Sequence, residues 1–301
     1  RKVHGVTQLV GNGKRLSVVS YANTSLGYKE YVEKAYPPKS PRPNFRLDQY
    51  QIAIPSYKRS HLISSKVLSL LERHNINPKK VTIFVANENE RKLYANALAN
   101  NMYNNIVVGK AGIMKIRNVI RQYYKEGTPV ISLDDDVTEI LELINEEAVP
   151  IPNGSFEKFI HLGFNIAREH NAYLWGITNS SNPFYMSETV KIGLYFVIGA
   201  VFGTVIRHEA DLMVSTDMKE DVERSLQHFI KDGRVVKLGF YAFKGNYNTL
   251  EGGQESVRSH KNQHASASYL LKKYPKYLKL EYRKSGSGNT QGQAELRLID
   301  Q

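Results

Sequence analysis

The stretch that decides the fold is Val130-Ile131-Ser132-Leu133-Asp134-Asp135-Asp136, in which β-branched and aliphatic residues run straight into three consecutive carboxylates. A short apolar run bounded by polar residues reads as a buried strand. Three adjacent negative charges repel one another unless counter-ions neutralise them. An isolated Asp-Asp-Asp reads first as a solvated acidic turn. The apolar lead-in and the basic chain around it turn the reading toward a hard divalent cation, Mg²⁺ or Mn²⁺, held at the tip of a strand. Such cations take oxygen ligands and commonly share them with phosphate, so the expected metal bridges the protein and a nucleotide diphosphate.

Upstream of that strand the texture is α/β. Gln51 to Pro55 reads as a strand, His61 to His74 as an amphipathic helix, Val81 to Val85 as a strand and Glu88 to Asn100 as a helix. Asn105 to Val108 follows as a strand, Ile113 to Tyr124 as a helix, and Pro129 to Leu133 as the strand that delivers the acids. Strands alternating with helices imply right-handed βαβ units and a parallel sheet. Ligands bind such sheets at the carboxyl ends of the strands. That rule gathers Pro55 to Arg59, Ala86 to Glu88, Gly109 to Gly112 and Asp134 to Asp136 at one edge. Ser56, Tyr57 and Arg59 offer groups for a base, ribose or phosphate, since Arg carries a planar fork of donors. Asn87 and Glu88 offer polar edges for a base or ribose. Lys110, Gly112 and Arg117 suit phosphate, with glycine permitting close approach. Each taken alone is also compatible with a solvated loop; their joint placement beside an acidic loop makes the site.

Composition bounds the rest. With Lys+Arg 41 against Asp+Glu 29, the net charge is +12, and the chain is expected to attract polyanions, nucleic acid first and small phosphorylated substrates second. There is no Cys, which excludes disulfides and thiolate metal sites and makes a reducing compartment, the cytoplasm, the default. The apolar stretch from Ile192 to Ile206 is broken by Gly193, Gly199, Gly203 and Thr204 and is too short for a membrane span. No secretory signal is visible, and a first residue of Arg1 rather than Met is consistent with a trimmed start. Pro37-Pro38-Lys39-Ser40-Pro41-Arg42-Pro43 reads as a stiff basic linker. The expected organisation is an N-terminal appendage and linker over 1–47 and a catalytic-type domain over 48–265, with its two halves at 48–137 and 138–265. A basic C-terminal extension covers 266–301. There, Lys and Tyr interleave from Leu270 to Tyr282, a pattern that suits a DNA backbone or a solvated helix face.

In the second half, Phe156 to His170 reads as an amphipathic helix and Ala172 to Ile177 as a buried strand, with Trp175 in the core. The loop Asn179-Ser180-Ser181-Asn182-Pro183-Phe184-Tyr185 combines amides with two aromatics, a mixture that can stack and read a base or simply cover a surface.

The segments Ile54 to Arg59, Ile83 to Ala86, Ile106 to Gly109, Arg117-Asn118 and Ile131 to Asp136 resemble the nucleotide-sugar half of GT-A glycosyltransferases. More narrowly they resemble the TET-associated glycosyltransferases of phages, relatives of the base J glucosyltransferase; the resemblance covers roughly residues 50 to 260. It implies a Rossmann-like, mostly parallel sheet with flanking helices. It also implies an enzyme with no membrane partner, working in host cytoplasm if phage-encoded, that moves a sugar, glucose first, from a UDP-sugar onto a hydroxymethylated pyrimidine in DNA with inversion. Under it, Asp134 and Asp136 are the outer acids of the Asp-X-Asp motif that holds the metal. Asp135 faces the sugar or ribose, and Lys219-Glu220-Asp221-Val222-Glu223 resembles the motif whose Asp is the general base. Local sequence alone reads Glu220 and Asp221 equally as dipole-favoured acids opening a helix from Asp221 to Lys231. Ile198 to Gly203, with Gly199, resembles the small-residue loop along the donor sugar and the acceptor, although glycine there also suits tight strand packing. His260 is the expected third metal ligand, with His264 in reserve. Two other classes stay open: a GT-A enzyme acting on a glycan or protein, and a nucleic-acid-binding module on the same scaffold.

Overall fold

The computed structural model of the 301-residue chain describes residues 4–10, 14–24, 27–34, 37–245, 260–283 and 293–299. Three strands come first, β1 (His4–Val10), β2 (Lys14–Thr24) and β3 (Gly27–Lys34). The α/β alternation follows as β4 (Gln51–Pro55), α1 (Val67–Arg73), β5 (Val81–Val85) and α2 (Glu88–Ala97). It continues through β6 (Asn105–Val108), α3 (Ile113–Tyr123) and β7 (Pro129–Leu133). β8 (Val137–Ile144) and β9 (Glu147–Pro150) leave the acidic tip, followed by α4 (Phe156–Glu169), β10 (Leu174–Ile177) and β11 (Thr189–Gly193). Then come β12 (Val201–Val205), α5 (Glu220–Asp232), β13 (Val235–Leu238) and β14 (Tyr241–Gly245). α6 (His260–Lys273), β15 (Leu278–Arg283) and β16 (Gln293–Leu298) complete the described elements.

The chain is a mixed α/β protein with a large, mostly parallel central sheet and flanking helices. The sheet runs β1-β2-β3-β11-β13-β10-β12-β7-β4-β5-β6. From β11 to β6, six strands point one way, and only β11 and β12 oppose them. The parallel block β7-β4-β5-β6 is the one the sequence alternation predicts. The antiparallel strands have no such signature, because β12 begins inside the small-residue segment read as a loop.

β7 sits in the middle of this sheet, parallel to β4 on one side and antiparallel to β12 on the other. All five of its residues are buried. Its alternating side chains divide between two cores. Ile131 and Leu133 join α1 and α4 residues such as Leu68, Phe156 and Phe159 on one face, while Val130 meets Ile116, Ile120 and Tyr124 around α3 on the other. A strand paired on both edges and covered on both faces ends in a fixed place, and Asp134 begins there.

Trp175 is fully buried, as expected, edge-on to Phe159 and Phe164 with centroids 5.5 Å away in each case. Its indole lies flat against backbone: a Cβ added at Gly203 would sit 2.0 Å from Trp175 Nε1, and one at Gly163 2.5 Å from Cε2. Tight strand packing is thus the use the fold makes of Gly203. The β8–β9 hairpin turns through Asn145 (φ 51°) and Glu146 (φ 66°), the doubly left-handed turn that fits strand twist. A separate three-stranded sheet, β14-β8-β9, stands beside the acidic tip.

The Pro-rich segment is tied down rather than hanging free. Lys39 N–H donates to Asp232 O (2.9 Å) and Ser40 Oγ to Asp232 Oδ1 (2.6 Å), at the C-terminus of α5. β3 pairs in parallel with β11, so the first three strands extend the sheet. The division expected after residue 265 falls within α6, whose Leu270 packs with Leu226 and Phe229 of α5. No helix among the described residues is long and apolar enough to cross a membrane.

Gly203→Ala should destabilise the protein by about 1–3 kcal/mol, since the methyl group would overpack the Trp175 pocket. Equilibrium denaturation would show this as a lower midpoint with an unchanged slope; an unchanged midpoint would contradict the packing described.

Candidate functional site

The acids that end β7 are held by cations reaching in from two directions. Asp134 N–H donates to Ala200 O (2.9 Å), fixing the turn against the start of β12. From α3, Arg117 donates through Nη2 to Asp134 Oδ1 (2.8 Å) and Gly199 O (2.8 Å), through Nη1 to Ser132 Oγ (2.6 Å) and through Nε to Glu220 Oε1 (3.2 Å). From the loop after β4, Arg59 donates through Nη1 to Asp135 Oδ1 (2.8 Å) and lies 3.8 Å from Asp136 Oδ2. Ser56 Oγ donates to Asp135 Oδ2 (2.5 Å) and pairs with Tyr94 Oη (2.6 Å). Both oxygens of Asp135 are therefore engaged by Arg59 and Ser56.

The three carboxylates differ in what remains available. Asp134 retains 32% side-chain exposure, whereas Asp135 and Asp136 are buried. Asp136 Oδ1 is buried without a hydrogen-bond partner among the described residues. Burial and the charges of Asp134 and Asp135 push the Asp136 carboxyl up to about 7. Burial likewise raises Asp134, against the pull of Arg117. An orphaned carboxylate oxygen beside a partly open one fits a divalent cation that completes its shell with a ligand's oxygens, as Mg²⁺-type sites do. Among the described residues no three Asp, Glu or His side chains form a ready-made metal cage.

Glu220 and Asp221 open α5 directly across Arg117. Lys219 before them is left-handed (φ 63°), which turns the chain sharply into the helix. Glu220 is buried between Arg117 and Arg224, whose Nη1 is 3.6 Å away. Asp221 accepts the N–H of Val222 (2.9 Å) and a backbone hydrogen bond from Gly199, yet burial and the Glu220 charge raise it to about 7. Gly199 is the pivot: a Cβ there would lie 3.1 Å from Glu220 Oε1 and 3.8 Å from Asp221 Cβ. Gly199 thus links the two acids: its carbonyl accepts from the Arg117 that holds Asp134, and its N–H donates to Asp221.

The remaining candidates fall into three groups. Pro55, Ser56, Tyr57 and Arg59 follow β4 at the same edge as the acids, with Tyr57 half-buried. Asn87 is exposed and caps α2, its Oδ1 accepting Glu90 N–H (3.0 Å), while exposed Glu88 pairs with Arg91. Lys110 is exposed, and Gly112 (φ 104°) starts α3, where Asp217 Oδ1 accepts Met114 N–H (3.1 Å) and takes the close approach glycine allows. Asn179 is exposed, and Phe184 and Tyr185, at 83% and 62% exposure, form an edge-on pair after β10. The side chain of His260 lies outside the described residues. His264 is exposed on α6 with Ser268 Oγ 3.4 Å from Nδ1, and it joins no metal-type cluster among the described residues.

The sequence reading missed Tyr94, Glu90 and Ser132, and it gave no role to Arg121 or Arg224. Glu90 Oε2 accepts Lys58 N–H (2.7 Å) and Tyr94 Oη accepts Arg59 N–H (3.0 Å), so one face of α2 shapes the Arg59 loop. Their i, i+4 spacing was the available signal.

No family model matches the chain, and no curated protein does. Solved structures to which the chain shows similarity include TarS of S. aureus, with 14% identity and a TM-score of 0.48 over 74% of this chain and 40% of that one. A mannosyltransferase from Pyrobaculum calidifontis, in complex with GDP-Man and Mn²⁺, has 12% identity and a TM-score of 0.45 over 80% of this chain and 67% of that one. Glucosyl-3-phosphoglycerate synthase from Mycobacterium tuberculosis, in complex with Mn²⁺, UDP and glucosyl-3-phosphoglycerate, has 10% identity and a TM-score of 0.44 over 87% of this chain and 95% of that one. The chain spans less than half the length of TarS.

With divalent cations chelated, stability should fall as pH rises from about 4 to about 7. Over that interval folded Asp136 and Asp221 keep protons that the unfolded chain has released, so deprotonation favours unfolding. Thermal melts across this range should show the decline, and Asp136→Asn should flatten part of it; a rise in stability with pH would contradict the burial described.

Proposed function

We propose that the chain is a metal-dependent GT-A glycosyltransferase. It moves a sugar, glucose first, from a UDP-sugar to the hydroxymethyl group of 5-hydroxymethylcytosine or 5-hydroxymethyluracil in DNA, with inversion. The observation that carries this reading is the unpartnered Asp136 Oδ1 beside Asp134, with the raised carboxyl of Asp221 linked to that cluster through Gly199, which also accepts from Arg117. Such a pairing joins a cation position to a candidate base, the two elements that displacement at an anomeric carbon requires.

Asp134 and Asp136 would hold Mn²⁺ or Mg²⁺. A cation bound there supplies Lewis-acid neutralisation of the charge that grows on a departing diphosphate. Arg117 and Arg59 keep the carboxylates in place by charge-assisted hydrogen bonds. Lys110 and the loop after β4, with Tyr57, line the approach for the nucleotide, and Asn87 and Glu88 offer its base and ribose exposed polar edges. Asp221 accepts the proton of the acceptor hydroxyl as that oxygen bonds to the anomeric carbon and the bond to the diphosphate breaks. A carboxyl raised to about 7 is well matched to that task at neutral pH, since a base works best when its pKa lies near the working pH. Phe184 and Tyr185 offer a stacking surface for an extruded pyrimidine, and the net charge of +12 suits a DNA backbone. Unpairing a base costs roughly a few kcal/mol, which phosphate contacts offset in part.

The deciding assay incubates the protein with hydroxymethylated DNA, Mn²⁺ and a panel of nucleotide sugars, then digests the DNA and weighs the nucleosides. One hexose increment on a pyrimidine is expected, and Asp221→Asn should lower the rate by about 10²–10⁴ while the fold persists. Transfer to glycan or protein with none to DNA would reassign the acceptor. Absence of both transfer and donor hydrolysis with every sugar would overturn the enzyme reading.

A further inference from the structure

A cavity lies behind β7 and β12, on the sheet face covered by α3 and α5, and three buried arginines line it: Arg117, Arg121 and Arg224. Their positive charges are unequally matched. Arg117 spends its donors on Glu220, Asp134, Ser132 and Gly199. Neighbouring Arg207 is matched by Asp232, with Nη1 and Nη2 each 2.8 Å from a carboxylate oxygen.

Arg224 and Arg121 are less well matched: Arg224 Nη1 lies 3.6 Å from Glu220, a carboxylate it shares with Arg117, and has no bidentate pairing of the Arg207 kind. Arg224 is 3% exposed and stacks at 3.7 Å on the ring of Phe202. Its Nη2 donates to Val197 O at 3.3 Å, but Nε and Nη1 have no hydrogen-bond partner among the described residues. Arg121 is 6% exposed; its one described hydrogen bond is a long one, 3.4 Å to Arg207 O, and it forms no ion pair among the described residues. The hydroxyl of Thr204, which also lines the cavity, is buried and unpartnered. The surrounding groups register the excess charge. Burial, then Arg207 and Arg224, hold Arg121 down at about 10, and burial with Arg121 and Arg207 keeps His228 well below its usual range. Buried charges are normally paired and buried polar groups hydrogen-bonded. Two guanidiniums with largely unspent donors and an unpartnered hydroxyl converge on one cavity, and Glu220, which Arg224 shares with Arg117, is the one carboxylate in ion-pair contact with the two among the described residues. Guanidinium donors suit oxyanions and halides alike, which makes the cavity a site for an anion.

We propose that this cavity binds one small inorganic anion, chloride or a phosphate-type oxyanion, held by Arg121 and Arg224 with the Thr204 hydroxyl as a further donor. The site is separate from the acids at the tip of β7 and does not depend on any enzymatic reading of them. It meets them at Arg117, which lines the cavity and donates to Asp134, and at Glu220, which Arg117 and Arg224 share. The bound anion would therefore brace the arginines that set Glu220 and Asp134.

The test is thermal unfolding in gluconate buffer, an anion too bulky for the cavity, with gluconate replaced stepwise at constant ionic strength by chloride, sulfate or phosphate. The proposal predicts a saturable rise in melting temperature with at least one small anion, as expected for a ligand of the native state. Arg121→Met should abolish that rise while melting in gluconate no lower than the parent, because it removes an unmatched buried charge. A response to chloride alone identifies a halide site, and one to sulfate or phosphate alone an oxyanion site. Crystals grown with bromide for chloride, selenate for sulfate or arsenate for phosphate should show an anomalous peak between Arg121 and Arg224. Equal melting in all salts, an equal salt response in Arg121→Met, or water alone in the cavity would overturn the proposal.

Discussion

The fixed constraint in this molecule is electrostatic: three consecutive carboxylates must sit at the end of a buried strand without repelling it apart. The fold meets the constraint by dividing them. Arg117 takes Asp134, Arg59 takes Asp135, and Asp136 is left with a buried oxygen that the described residues do not satisfy. Two arginines against three acids leave a local negative surplus at the tip of β7. A buried ion pair contributes little net stability once desolvation is counted, but breaking one is costly. The two arginines are therefore better understood as fixing geometry than as adding stability.

The topology explains why those arginines arrive where they do. β7 is central, so its C-terminal edge is reached by the loop after β4 on one side and by the start of β12 on the other. Arg59 comes with the first, and Gly199 and Ala200 with the second. α3 and α5 cover the same face, which lets Arg117 touch β7, the approach to β12 and the first residue of α5 together. One side chain thus ties the acid cluster to Glu220 and Asp221. The same packing leaves Arg121 and Arg224 deeper between the helices and the sheet, where positive charge outweighs negative.

Much of this was legible in the residues. The strands Gln51 to Pro55, Val81 to Val85, Asn105 to Val108 and Pro129 to Leu133 have the bounds their apolar runs imply, because buried parallel strands are written as short continuous hydrophobic stretches. The gathering of the four loops at one edge followed from the same alternation. Helix ends were less exact: the segment from His61 to His74 contains a 3₁₀ turn at Ile63–Ser65 before α1 starts at Val67. β8, β9 and β11 to β14 were not foreseen, since antiparallel pairing here rests on long-range register rather than a local period. Nor did residue type reveal that Arg117 faces inward. Its spacing with Ile113, Ile116, Ile120 and Arg121 puts two arginines on the buried stripe of α3, a signal that charge alone masks. Asp135 likewise reads as a ligand-facing acid in the sequence, whereas its contacts to Ser56 and Arg59 join segments about eighty residues apart.

Isothermal titration of UDP with and without Mn²⁺ tests the account of the acid cluster most directly. If Asp134 and Asp136 are a half-formed cation site completed by a diphosphate, UDP should bind with Mn²⁺ present, lose most of its affinity in chelator, and fail to bind Asp136→Asn under either condition. Equal affinity with and without the metal, or no binding in its presence, would contradict it.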